Sequence, residues 1–129
     1  MTIYTDGVAL ASDNSVSDTD LLQCVTSLLD DYKARDVQVI DVRGISSLSD
    51  YVILATGTST RHLQAVAENL VVGLKRAGYQ PLGVEGQRDS DWVLVDADDV
   101  IVHLMLAQAR EFYNLEKLWD VPRARSAEV

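Results

Sequence analysis

Tyr51–Gly78 reads YVILATGTSTRHLQAVAENLVVGLKRAG, and these residues hold both halves of an α/β unit. Tyr51–Thr56 is branched, aromatic and apolar, as strands prefer. The stretch Gly57-Thr-Ser-Thr-Arg-His62 interrupts that run and supplies hydroxyls suited to capping a helix. From about Thr60 to Ala77, Leu63, Val66, Ala67, Leu70, Val71 and Leu74 recur at helical spacing and make one apolar stripe. Lys75 and Arg76 suit the last turn, and Gly78 suits the C-cap.

Upstream, Leu21, Leu22, Val25, Leu28, Leu29 and Tyr32 repeat the same spacing and predict a helix over about Asp18–Ala34. Ser17 or Asp18 can cap it, Asp20 sits well in its first turn, and Lys33 and Arg35 suit its far end. Cys24 lies on the apolar side with no His or second Cys near it in sequence, which reads as a small core residue. Val37–Val42 (VQVIDV) is a second strand. The polar run 43–50 joins it to Tyr51 and is long enough for a wide hairpin. Downstream, Tyr79–Val84 is extended, with Pro81 arguing for an edge or an irregular start. Trp92–Asp96 and Val100–Leu106 are strands around the turn Ala97-Asp98-Asp99, which reads as a hairpin. Gln108–Trp119 is a last helix, with Phe112, Leu115 and Trp119 facing the sheet, and Pro122 stops it. The order implies a single compact α/β domain, with a mixed sheet of about five strands covered by amphipathic helices. Its expected span is 17–120, after a flexible arm over 1–16 and before a short tail over 121–129.

The chain has 129 residues, enough to bury a core without disulfides or a structural metal. With 11 Lys+Arg against 20 Asp+Glu, its net charge is −9. That balance argues against bulk binding to nucleic acid or anionic lipid and favours a basic partner. Six aspartates and no basic residue fall within Met1–Asp31. A single cysteine excludes an intrachain disulfide and a multi-cysteine zinc site. No signal peptide is legible and no apolar stretch approaches the roughly 20 residues of a bilayer span. A soluble, cytoplasmic protein is the expectation.

Several residue groups invite chemistry. Gly57 through His62 could cap a helix, meet a macromolecule with Arg61, or cradle a phosphate, but neither GxxxxGK[ST] nor GxGxxG is present, and capping is favoured. Asp96 and Asp98, with Asp99 beside them and Asp41 a distant candidate, could hold Mg²⁺; a solvated turn explains them as well. His62 and His103 lack metal-ligand spacing. His103 alternates with Ile101 and Met105 and reads as a hydrogen-bonded structural or interface histidine. A Ser59–His–Asp triad can be drawn, without any GxSxG context to support it. Trp92, Leu94 and Asp96 share one strand face. Trp92 either packs under a helix or joins Leu94 in an apolar anchor with a polar rim.

The segments DVQVIDVRG and SSLSDYVILATGTSTRH within Asp36–His62, AGYQPLGVEG at Ala77–Gly86, DWVLVDADDVIVHLM at Asp91–Met105 and REFYNLEKLWD at Arg110–Asp120 together resemble the ribosomal silencing factor family, also called Iojap-like proteins. The resemblance covers about Leu21–Asp120. It implies an α/β domain related in fold to nucleotidyltransferases, without catalytic residues, cofactor or metal. It also implies binding to the large ribosomal subunit through that subunit's fourteenth protein, at the surface that meets the small subunit. Translation is thereby repressed by a steric block. Plant and animal relatives act in organelles, often in large-subunit assembly; bacterial members are cytoplasmic, and several form homodimers. The family-like positions are Asp50, Gly57, Ser59, Arg61, His62, Gly83, Glu85, Gly86, Trp92, Asp96, His103, Tyr113, Glu116 and Trp119. Of these, Arg61, His62, Glu85, Trp92 and His103, together with Leu94, form the expected partner-binding set. The alternatives are a large-subunit assembly factor and a nucleotide-binding or nucleotidyl-transferring enzyme using Gly57, Ser59, Asp96, Asp98 and Mg²⁺, although the turn and acid pair of nucleotidyltransferases are not reproduced here.

Overall fold

The structure, a computed structural model, describes residues 18–86 and 90–114 together with Lys117. The expected arm, tail and Ser17 cap, and the packing of Leu115 and Trp119, lie outside the described residues. The element order is α1 (Asp18–Asp31), β1 (Arg35–Asp41), β2 (Tyr51–Gly57), α2 (Thr60–Arg76), β3 (Gly83–Glu85), β4 (Trp92–Asp96), β5 (Val100–Leu106) and α3 (Ala107–Tyr113). The strands form one mixed sheet in the order β1-β2-β5-β4-β3. Strands β2 and β5 are parallel; every other neighbouring pair is antiparallel. The expected β4–β5 hairpin is present, and β1–β2 forms the wide hairpin that the 43–50 connection permits without requiring.

The two faces of this sheet are covered unequally. Strand β2 is buried at every position, as its unbroken apolar run requires of a strand packed on both faces. On one face, Leu21, Val25 and Leu29 of α1 and Leu63, Val66, Ala67, Leu70 and Leu74 of α2 pack on Ile53, Ala55, Val93, Val95, Val102 and Leu104. The opposite face has a smaller cluster: Ile40, Val42, Val52, Leu54, Met105 and Ala109, with Trp92 packed against it. Among the described residues, the seven-residue α3 is the only helix over that side, and β4 is half-buried there at Trp92, Leu94 and Asp96. Cys24 packs at the border of the larger core, where burial pushes its thiol pKa up and keeps it a neutral small hydrophobe.

Element ends differ from expectation for local reasons. Helix α1 stops at Asp31, three residues early, because Lys33 takes the left-handed conformation, φ 64°. The Lys33 N–H donates to the Asp30 carbonyl at 3.0 Å and the Ala34 N–H to the Leu29 carbonyl at 2.9 Å, closing the helix in a Schellman motif. Helix α2 ends the same way, with Gly78 (φ 96°) one residue beyond the cap at Ala77. A lysine in this conformation is strained where a glycine is not. Lys33→Gly is therefore expected to raise stability by about 0.5–1 kcal/mol, read as a higher urea midpoint at unchanged slope.

Strand β3 begins only at Gly83, because Tyr79 N–H is committed to the Leu74 carbonyl in the α2 cap and Pro81 has no N–H to donate. Helix α3 ends at Tyr113, where Asn114 turns left-handed (φ 49°). Phe112, expected to face the sheet, is instead 79% exposed. It points outward because the helix packs through Ala109 and Arg110. At Gly57, a Cβ would collide with the Leu63 side chain and come within 3.2 Å of His62 Nδ1. Leu63 is fully buried and has little room to retreat. Gly57→Ala is expected to cost about 1–3 kcal/mol by overpacking, measurable in the same denaturation assay.

Candidate partner-binding face

Register brings four of the expected residues onto the sparsely covered face. Gln38 pairs with Leu54, Leu54 with His103, His103 with Leu94 and Leu94 with Glu85. Residues directly across a ladder point to the same side, so one row spans all five strands. Trp92 stands in the next row, across from Met105. It packs neither under α1 nor under α2. It lies on the minor cluster beside α3, partly open to solvent.

Trp92 is held from several directions. Its indole Nε1–H donates to His103 Nδ1 at 3.0 Å. The Tyr113 ring lies 4.7 Å from it, centroid to centroid, and Phe112 meets Tyr113 edge-on at 5.0 Å. Ser90 Oγ bonds both the N–H and the carbonyl of Trp92. Gly86 approaches closely on the far side: a Cβ there would sit 3.0 Å from the Trp92 carbonyl oxygen. A rigid aromatic group half in water, next to Leu94 and exposed Glu85, has the anatomy of an interface anchor.

His103 must be neutral in this arrangement, because Nδ1 accepts the indole proton; the hydrogen-bond network thus assigns its proton to Nε2. Burial pushes its pKa down to about 4. The folded value is below the unfolded value of about 6.5, so the stabilisation is complete above pH 6.5 and is lost as pH falls through 4. About 2 kcal/mol is expected to disappear between pH 7.5 and 5. His103→Gln, which does not titrate, is expected to lose that increment of pH dependence in parallel denaturation curves.

Arg61 and His62 are not brought onto this face; both belong to α2 in the opposite layer. His62 is engaged structurally. Its Nδ1 accepts the Thr58 N–H at 2.9 Å, and its Nε2, bearing the proton, donates to the Tyr32 carbonyl at 2.9 Å. Its own N–H donates to Ser59 Oγ, the N-cap, so the capping reading of Gly57–His62 holds. The ring also ties the start of α2 to the end of α1.

The alternative Mg²⁺ constellation is not assembled. Gly57 ends β2, whereas Asp96 is aligned with Ile101 and hence with Val52. Five residues along a strand separate the two groups by about 17 Å. Asp96 Oδ1 instead accepts the Asp98 N–H at 3.0 Å, shaping the turn in which Asp98 has φ 74°. Asp41, three strands from Asp96, binds Arg43 at 2.6 Å; hydrogen bonds from Arg43 lower its carboxyl pKa. Among the described residues no group of three or more His, Cys, Asp or Glu could hold a metal ion, and no helix is long and apolar enough to cross a membrane.

Sequence reasoning gave no role to Arg110. It is only 7% exposed, and its Nη1 donates to the Asp36 carbonyl at 2.6 Å and to Thr56 Oγ1 at 2.9 Å. It thus fastens α3 to β1 and β2 beneath the aromatic group. The weak signal was an arginine at the inner turn of a short helix, three residues before Tyr113.

The family model described as "Ribosomal silencing factor during starvation" matches residues 15–129. The chain is 46% identical over 99 residues to the "Ribosomal silencing factor RsfS" of Haemophilus influenzae, covering 77% of this chain and 97% of that one. It is 41% identical over 103 residues to the mouse protein "Mitochondrial assembly of ribosomal large subunit protein 1", covering 78% of this chain and 45% of that longer one. A crystal structure of a protein from Chromobacterium violaceum superposes with a TM-score of 0.78 at 38% identity, over 81% of this chain and 88% of that one. With the family model spanning residues 15–129, and with nearly all of the Haemophilus relative and most of the Chromobacterium structure matched, the chain belongs to the ribosomal silencing factor family.

Proposed function

We propose that this protein is a cytoplasmic translational repressor. It binds the large ribosomal subunit through that subunit's fourteenth protein and sterically prevents the small subunit from joining. The observation that carries the reading is the Trp92–Leu94–His103 face, partly open and rimmed by Glu85. A net charge of −9 favours encounter with a basic ribosomal protein over bare RNA phosphate. Burying Trp92 and Leu94 would supply the slow-dissociating part of the contact. Repression by occupancy needs no reaction. Arg61 and His62 fall outside this contact; a homodimer in the free state is part of the reading. The test is co-sedimentation with separated subunits at physiological salt. Selective, near-stoichiometric retention on the large subunit, lost when the joining surface is already occupied, is expected; no retention on either subunit would overturn the proposal.

A second reading is favoured by the mouse relative, whose name concerns assembly of the mitochondrial large subunit. A maturation factor would leave large-subunit precursors accumulating when the gene is deleted. A silencing factor would instead leave mature subunits joining more readily when nutrients are limited.

A further inference from the structure

Ile45 and Leu48 are 66% and 81% exposed. Both lie in the 42–50 connection between β1 and β2, at the end of the sheet away from Trp92. The connection's backbone is pinned. Ile45 and Ser46 N–H both donate to the Val42 carbonyl at 2.9 Å, and Val42 N–H donates to the Asp50 carbonyl at 2.9 Å. Leu48 N–H bonds Ser46 Oγ at 3.0 Å. Val42 and Ser49 are buried, so the chain is anchored on both sides of the two aliphatic residues and holds them outward. Asp50 and Tyr51 N–H both donate to the Asp99 carbonyl, at 2.8 and 3.0 Å, which stitches the connection to the β4–β5 turn.

The charge here is mostly acidic. The two adjoining stretches, 41–50 and 96–99, contain Asp41, Asp50, Asp96, Asp98 and Asp99 against the single cation Arg43, which is bound to Asp41. Lys75 and Arg76 close α2 and belong to the helical layer. Two aliphatic anchors with an acidic surround match a protein segment that places lysine or arginine beside an apolar residue. The same carboxylates repel nucleic-acid phosphate and anionic lipid. A second copy of this chain would bring aspartates against aspartates. Because the backbone is already fixed, docking would need little further ordering of this side.

We propose that the 42–50 connection and the adjoining 96–99 turn form a second docking surface, for a basic amphipathic protein segment seated on Ile45 and Leu48. It is separate from the Trp92 face and does not rest on the ribosomal reading. Asp96 aligns with Ile101 while Trp92 aligns with Met105, about 13 Å apart along the strand. One face could then hold the protein in place while this end recruits another protein.

The test titrates the isotope-labelled full chain with a synthetic amphipathic peptide of leucine and lysine, and with its leucine–glutamate counterpart, following backbone amide shifts. Shifts concentrated over 43–50 and 97–99 are expected with the lysine peptide alone, weakening as salt is raised. The Ile45→Ser/Leu48→Ser double variant, whose changes are in solvent and leave the melting temperature in place, is expected to bind at least about tenfold more weakly. Shifts confined to Trp92, Leu94 and His103, equal binding by the double variant, or equal binding of the glutamate peptide would each overturn the proposal. So would concentration-dependent self-association of the parent chain that the double variant loses, since the occupant would then be a second copy.

Discussion

Trp92→Ala is expected to weaken retention on the large ribosomal subunit by about two orders of magnitude, the effect of removing a central aromatic anchor. The substitution acts in two ways. It removes the largest apolar surface on the open side of β4. It also takes the proton donor from His103 Nδ1 and the ring partner from Tyr113. Trp92→Phe separates these effects. Phenylalanine keeps most of the apolar area but cannot donate to His103, so binding is expected to fall by about tenfold only. Both variants are expected to fold, because the larger core of α1, α2 and the helix-covered sheet face does not include Trp92. Retained ribosome binding by a folded Trp92→Ala protein would remove this face from the proposal. Leu94→Asp, which puts a charge on the same row without touching the indole, is the companion variant and is expected to behave like Trp92→Ala.

The residues of the Trp92 face were legible in sequence, but the grouping was only partly so. Alternation in WVLVD put Trp92 and Leu94 on one side of a strand. It could not say which side the long helices would cover. That depended on β5 pairing parallel to β2 and sending β4 to its far side, a long-range choice that local pattern does not encode. Arg61 and His62 are one helical turn from Gly57 in sequence, yet the sheet stands between them and the aromatic group. His62 is grouped with that face in the sequence because nothing local shows that its ring will bridge to the Tyr32 carbonyl, thirty positions away. The strands fared better. Trp92–Asp96 and Val100–Leu106 have the expected limits because Asp at the turn and the apolar alternation agree. Helix ends were missed where one residue, Lys33 or Asn114, turns left-handed without being glycine. Phe112 was placed inward by spacing that continued through Leu115 and Trp119, whereas the described helix ends at Tyr113 and packs on a different stripe.

Arg110→Met is expected to destabilise the fold by about 3–5 kcal/mol. Methionine fills much of the volume but leaves the Asp36 carbonyl and the Thr56 hydroxyl without the donor that now reaches both. Thr56 is 7% exposed, so water cannot readily replace the guanidinium there. Asp36 sits at φ 46° where the β1–β2 register shifts between Arg35 and Gln38. Its carbonyl is turned to the arginine rather than lying in the regular ladder, so the irregularity and the buried cation support one another. Arg110→Lys keeps the charge and a nitrogen able to donate twice, but it lacks the planar guanidinium that fixes Nη1 between the two acceptors, and it is expected to recover less than half of the loss. The consequence reaches the proposed partner-binding face, because α3 carries Tyr113 against Trp92. A destabilised α3 loosens the aromatic group before the larger core opens. Tryptophan fluorescence of Arg110→Met is therefore expected to change at a lower urea concentration than its helical signal. Coincident transitions with an unchanged midpoint would show that Arg110 holds neither the helix nor the face.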